Sequence, residues 1–244
     1  MSDLRGKTVF VTGAARRLGR ATALAAAKAG AQVAFTYLSS ADDARDTLEQ
    51  IEQSGKGLAV PCDITQGESI AQAVGQVLDQ FGRIDVLVNN AGIYEGVRFE
   101  ELTEAQWDRM FATNVRGPFL VSQHSIPALR KARGRIIHMG SLGGKKPWAT
   151  HAHYCSSKAA LHMLTEVMAK ALAPDIAVNC VAPGMIDLGG GEGDAEFFRR
   201  MSKQTPMQRN GTQEDIVSAV MYFASSPHFI TGQILTVDGG LALR

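Results

Sequence analysis

Residues 11–20 read VTGAARRLGR, and the fold turns on what this stretch is. An apolar run breaks at Gly13, and an alanine-rich helical pattern starts beyond Gly19. That is the frame of a glycine-rich phosphate loop. Gly13 permits a tight turn, and Gly19 lets the helix lie close to the sheet. The helix N-terminus turns unpaired N–H groups and a positive dipole end toward an anion. However, Arg17, preceded by Arg16, stands where a middle glycine is expected. Two glycines at this spacing also occur in plain helix starts, with Arg16, Arg17 and Arg20 as a solvated face. The loop alone leaves both readings open.

Outward from the loop, short apolar, β-branched runs alternate with longer helical patterns. Strands are predicted at 8–12, 32–37, 57–62, 86–89, 135–139, 177–181 and 233–237. Between them lie stretches such as RATALAAAKAG and SIAQAVGQVLDQFG, alanine-rich or apolar at a 3.6-residue period. Gly30, Gly55 and Gly82 close three of the helices. Continuously apolar strands alternating with helices argue for a parallel sheet covered on both faces. No linker, repeat or low-complexity tract interrupts the pattern, so residues 1–244 are read as one doubly wound α/β domain. The irregular region is 184–195, GMIDLGGGEGDA, where four of the five residues 189–193 are glycine. It follows a strand end, where such sheets bind ligands, and is read as a lid or else a solvated connector.

Composition narrows the partners. A net charge of +1 gives no reason to expect nucleic acid or an anionic membrane. No apolar run approaches the ~18 residues of a spanning helix, and the polar start MSDLRGK is unlike a secretory signal. Cys62, Cys155 and Cys180 are odd in number and lack metal-ligand spacing, so reduced thiols in a cytoplasmic protein and no metal site are expected.

The end of the second strand bears on the nucleotide. An acid is expected there to bond a ribose 2′-hydroxyl, but the sequence has Tyr37-Leu38-Ser39-Ser40. An unopposed Arg16 near two hydroxyls suits a 2′-phosphate, which a guanidinium meets through paired charged hydrogen bonds. NADP(H) is therefore favoured over NAD(H).

Three further segments carry chemistry. The fourth strand ends in Asn89-Asn90-Ala91-Gly92, Ser141 follows the fifth, and Tyr154 and Lys158 form a YxxxK pattern on a helix. At i and i+4 the last two share a helix face, where an ammonium near a phenol pulls the phenol's pKa below its usual value of about 10. With Ser141 able to bond the same reacting oxygen, the three form a proton-donating set for carbonyl reduction. Singly such residues have plainer uses: a tyrosine in packing, Asn114 of the stretch NVRG at a turn, Asp63 of the stretch CDIT as a helix cap.

Taken in order, TGxxxxxG, Asp63 in CDIT, NNAG, Asn114 in NVRG, Ser141, YxxxK, Pro183-Gly184 and the tail ITGQILTVDGG resemble the short-chain dehydrogenase/reductase family along the whole chain. The resemblance implies a seven-stranded Rossmann sheet, a homotetramer or homodimer, and a small carbonyl or alcohol substrate. It makes Tyr154 the general acid/base and gives Ser141 the carbonyl. Lys158 would lower the tyrosine's pKa and hold the nicotinamide ribose, and Asn114 would hold a water in a relay with it. The cofactor would run along Gly13, Arg16, Arg17, Leu18 and Gly19, with Tyr37 and Ser39 at the phosphate end. Asp63 and Ile64 would lie at adenine, Asn90, Ala91 and Gly92 along the adenosine ribose side, and Pro183, Gly184 and Ile186 beside the nicotinamide. The expected substrate walls are Ile93 and Tyr94, Leu142, Trp148, His151 and His153, and Met185, with Tyr94 and Trp148 suited to stacking on a flat ring.

The sequence departs from the family at three points. Arg17 replaces the middle glycine, as in pteridine and dihydropterin reductases, but those place an aspartate where this chain has Ser141. A threonine usual after PGxI is absent from Pro183-Gly184-Met185-Ile186-Asp187-Leu188. A basic residue that 3-oxoacyl-carrier-protein reductases offer before the sixth strand is replaced by Pro174-Asp175. The expected function is thus an NADPH-dependent, 3-oxoacyl-reductase-like enzyme. The alternatives are a pteridine reductase and a non-catalytic NADP(H) sensor or scaffold.

Overall fold

The computed structural model describes residues 3–188 and 195–243. In chain order its elements are β1 (Thr8–Val11), α1 (Arg17–Lys28), β2 (Gln32–Tyr37), α2 (Ala41–Glu52), β3 (Gly57–Pro61) and α3 (Gly67–Phe81). They continue with β4 (Val86–Asn89), α4 (Glu104–Phe111), α5 (Gly117–Ala132), β5 (Arg135–Met139), α6 (Ala152–Leu172) and β6 (Ala177–Pro183). The last are α7 (Ala195–Gln204), α8 (Gln213–Ser225) and β7 (Ile234–Val237). The glycine-rich residues 189–193, read above as a lid, lie outside the described residues.

All seven strands join one parallel sheet in the order β3-β2-β1-β4-β5-β6-β7. The period-2 pleat sends alternate residues to opposite faces. On β1, Val9 and Val11 enter one apolar layer, where alanines of α1 and the α8 residues Ile216, Val220 and Phe223 cover the sheet. Phe10 enters the other layer, with Ile70, Val74 and Val77 of α3, Val121 and Leu129 of α5, and Met168 of α6. The doubly wound sheet is therefore as expected. β6 runs on through Ala182 and Pro183 because these residues still pair, with Thr236 and Val237. Gly30 and Gly82 close their helices in the left-handed region. Gly55 does not: α2 ends at Glu52, and the Gly55 N–H donates to the Ile51 carbonyl.

The order of strand addition reverses between β1 and β4: β2 and β3 are added outward on one side, and β5, β6 and β7 on the other. Such a switch point leaves a crevice beyond the carboxyl ends of the strands, since the loops on either side part there.

Candidate active site

The crevice is real: a cleft of about 880 Å³ opens at the ends of β1, β2, β3 and β4. Its walls include Gly13, Ala15 to Gly19, Tyr37 to Ser40, Asp63, Ile64 and Asn90 to Tyr94. Residues far apart in sequence and expected at one nucleotide site thus meet in one cleft.

Hydroxyls and one amide set the loop's shape. The Thr12 hydroxyl accepts the backbone N–H groups of Asn90 and Ala91, both at 3.0 Å. The Asn90 side-chain amide donates back to the carbonyls of Thr12 and Gly13, both at 2.9 Å. Thr36 Oγ1 accepts the Gly13 N–H at 3.0 Å. Three strand ends are thereby locked together; Thr12 is the threonine of TGxxxxxG, with no role assigned from sequence, and Thr36 is a partner outside the motifs. Gly19 has no room for a side chain: a Cβ there would lie 2.5 Å from the Gly13 carbonyl oxygen.

Arg17 is unusual. Its φ is +55°, a left-handed conformation that disfavours a non-glycine residue by about 1 kcal/mol. The backbone therefore retains the geometry of the missing glycine, and the arginine is held in it on the cleft wall. Arg16 is the exposed cap residue of α1 and lines the same wall as Ser39 and Ser40. The acidic groups among the cleft-lining residues are Asp63 and Glu95. Neither belongs to the segment after β2, and Asp63 Oδ1 accepts the Thr65 N–H and hydroxyl at 2.8 and 2.7 Å.

At the far end, Gly92 abuts the chemical group. A Cβ on Gly92 would lie 3.1 Å from Asn114 Oδ1 and 3.7 Å from Lys158 Nζ. Asn114 sits in a π-helical turn, Ala112–Arg116, between α4 and α5. That wider turn, a recurrent feature of functional sites, faces the buried asparagine to the chain after β4. Its Oδ1 accepts the Ile93 N–H and its Nδ2 donates to the Ile93 carbonyl, both at 2.9 Å. Ser141 caps a 3-10 turn, with its Oγ accepting the Gly143 N–H at 3.0 Å. It also hydrogen-bonds Tyr154, which favours the phenolate.

Electrostatics differ from the expectation that Lys158 draws the tyrosine's pKa down. Burial pushes Tyr154 up to about 12, with Tyr94 and Cys155 adding to the rise and the Ser141 bond opposing it. Burial likewise pushes Lys158 down to about 8. Nζ donates to the Met139 carbonyl at 2.8 Å and lies 5.8 Å from the Tyr154 ring centre. Desolvation disfavours the charged form of both groups and outweighs their mutual attraction at this separation.

A model of the family described as enoyl-(acyl carrier protein) reductase matches residues 13–242. The chain belongs to the short-chain dehydrogenase/reductase family. It is 36% identical over 241 residues to a 3-oxoacyl-[acyl-carrier-protein] reductase of Staphylococcus epidermidis, covering 96% of this chain and 98% of that one. It is 38% identical over 248 residues to an uncharacterized oxidoreductase of Methylorubrum extorquens, covering 99% and 100% of the two chains. Among solved structures, a short-chain dehydrogenase/reductase from Serratia marcescens superposes with a TM-score of 0.92 at 39% identity over 98% of this chain and 99% of the other. A dehydrogenase/reductase from Sinorhizobium meliloti superposes at 0.91 and 38% identity over 98% and 96%. Short-chain dehydrogenase/reductases are oxidoreductases of carbonyl and alcohol groups that use a nicotinamide cofactor, and this chain is one of them.

Several expected contacts fall elsewhere. Leu142 is fully buried, because the 3-10 turn after Ser141 points it into the interior. His153 is also fully buried, since it lies one residue before Tyr154 and so about 100° around α6. Neither is exposed on the cleft wall. Ile186 packs on the core and bridges Gly211, and Gly184 is pressed against Asp238. Pro183 ends β6 paired with Val237, and the Met185 carbonyl accepts the Gly211 N–H. None of these four is on the cleft wall, whereas Leu188 is.

An aromatic wall does form around Tyr154. Tyr94 meets it edge-on at 4.9 Å, Trp148 lies parallel to it at 6.4 Å, and His151 stacks on Tyr94 at 4.9 Å. The described residues contain no metal-binding cluster, and no helix among them is long and apolar enough to cross a membrane.

Proposed function

We propose that this protein is an NADPH-dependent carbonyl reductase of the 3-oxoacyl-reductase type. One observation supports this most: a single cleft has Arg16, Arg17, Ser39 and Ser40 at one end and Tyr94, beside Tyr154, at the other. The cofactor fits the residues present. Glycines at 13 and 19, where a Cβ would strike Ala91 or the Gly13 carbonyl, let the loop close tightly where a pyrophosphate would approach. The Arg16 guanidinium shares a wall with Ser39 and Ser40 at the 2′-phosphate end, in a segment after β2 that carries no acid. Asp63 and Ile64 would hold adenine, Asn90 to Gly92 the ribose side, and Lys158 the nicotinamide ribose. Bound there, NADPH would supply the hydride. Tyr154, held protonated at neutral pH, gives the carbonyl oxygen its proton. Ser141 holds that oxygen, and Asn114 fixes the turn that frames Lys158.

Ser141 speaks against pterin chemistry, while the Tyr94–Trp148 wall leaves a flat-ring substrate as the second reading. A sensor or scaffold has no physical need for a complete Ser/Tyr/Lys set. Three unpaired thiols fit a cytoplasmic setting. Exposed Phe119, Met163 and Val167 on α5 and α6, and Phe229 and Leu235 near β7, support a homotetramer or homodimer.

Fluorescence titration should show NADPH bound more tightly than NADH, and Arg16→Ala should erase most of the difference. Preference for NADH overturns the cofactor assignment. Screening ketones, acyl thioesters and dihydropterins with NADPH separates the two substrate readings, and no turnover on any of them returns the sensor.

Arg17 has its own test. Arg17→Gly is expected to weaken NADPH binding by about 10- to 100-fold, the worth of one charged hydrogen bond at about 1.5–3 kcal/mol. Thermal stability should hold or rise, because glycine takes a φ of +55° without strain. Unchanged affinity assigns Arg17 no part in binding.

A further inference from the structure

Tyr154, Lys158 and His162 stand at i, i+4 and i+8 on α6, a stripe along one side of the helix. The third member plays no part in the reaction described above. Its imidazole is nonetheless built into the turn that carries Ser141. The Ser141 backbone N–H donates to His162 Nε2 across a long 3.5 Å. Glycines clamp the ring on both sides: a Cβ on Gly140 would lie 2.5 Å from Nε2, and one on Gly144 would lie 2.5 Å from Cε1 and 2.8 Å from Nδ1. No side chain could stand at either position without displacing the imidazole. The turn from Gly140 to Gly144 is thus wrapped on the ring.

The ring's charge state suits that role. Burial, helped by the positive charges of Lys145 and Lys158, pushes His162 down to about 4. It is neutral at working pH, and Nε2 can accept only if the proton sits on Nδ1.

We propose that His162 is a positioning residue that sets the height and rotation of Ser141 relative to Tyr154. This rests on Ser141 holding the carbonyl oxygen as described under the proposed function. A turn free to shift by a fraction of an ångström would place the serine hydroxyl off the reacting oxygen, and such misplacement falls on turnover. Cofactor affinity would be spared, because the phosphate end of the cleft is built from other elements.

The test uses His162→Leu, which keeps bulk and removes the acceptor, and His162→Gln, whose amide oxygen reaches to where Nε2 sits. With NADPH and ethyl acetoacetate as probe carbonyl, the leucine variant should lose about five- to tenfold in kcat, the worth of one hydrogen bond. Its NADPH dissociation constant should be unchanged, and glutamine should restore most of the loss. In a Ser141→Ala background the leucine change should cost nothing more, since both changes remove one interaction. Independently of turnover, hydrogen–deuterium exchange of the 138–145 segment should quicken in the leucine variant and slow again with glutamine. Equal losses with and without Ser141, glutamine no better than leucine, or unchanged exchange would each overturn the assignment. If the wild type reduces no carbonyl, the reductase reading falls, and the exchange measurement still decides the role of His162.

Discussion

Tyr154→Phe is expected to lower carbonyl reduction by about 10²- to 10⁴-fold, the range for removing a positioned general acid, while NADPH binds as before. The two halves of that expectation come from different parts of the molecule. Binding is assigned to the glycine loop, Arg16, Asp63 and the NNAG turn, which line the cleft without Tyr154. Turnover is assigned to one hydroxyl. The phenylalanine ring keeps the edge contact with Tyr94 and the parallel contact with Trp148, so the wall should stand. Because burial holds Tyr154 up to about 12, the wild-type acid is protonated throughout the neutral range. Reduction should therefore show no loss there from its deprotonation. Steady-state rates beside a fluorescence titration check this. Turnover within about threefold of wild type is far less than a lost general acid allows and would remove Tyr154 from its role. Lost NADPH binding would make it a structural residue instead.

Most of the sheet was legible because each strand is a short apolar run bounded by polar or glycine turns. β2, β4 and β5 have the ends expected from sequence. The nucleotide cleft was legible for a related reason, since its residues follow strand ends and doubly wound sheets gather those at a switch point. Side-chain direction was less accessible. Leu142 and His153 are sequence neighbours of Ser141 and Tyr154, but a 3-10 turn and a helix rotate neighbours away by a third of a turn or so. The π-helical turn at Asn114 is a widening of one turn between two short helices, too local for the periodicity of the sequence to show. Arg17 exposes a further limit. A left-handed conformation is inferred from glycine, and here glycine has been replaced while the conformation remains. The depressed Lys158 was missed because spacing gives proximity to Tyr154 but not burial, and burial dominates its charge.

That burial leads to the last expectation: Lys158→Met should give a protein that turns over at most about a hundredth as fast, the general scale for losing acid–base machinery, and that is more stable. Lys158 is only 6% exposed, and its pKa falls from 10.5 to about 8 on folding. The unfolded chain thus holds the proton more tightly than the folded one. Below pH 8 both forms are protonated, and the full penalty of burying the charge applies, about 3 kcal/mol for 2.5 units at 1.36 kcal/mol each. Between pH 8 and 10.5 the folded form sheds its proton first, so wild-type stability gains with pH from this group. Methionine removes the charge and keeps an unbranched apolar stem. It also takes away the donor to the Met139 carbonyl, a loss of about 1 kcal/mol. A net gain of about 2 kcal/mol remains at pH 7, which in a chain of this size raises Tm by about 4–8 °C. By pH 10.5 the gain should have vanished or reversed, because neutral lysine carries no penalty and still donates. Melting curves of both proteins at pH 7 and pH 10 decide it. A variant less stable than wild type at pH 7, or a difference that does not change with pH, would mean that Lys158 is not buried as a destabilising charge. The site would then keep its lysine at no expense to the fold.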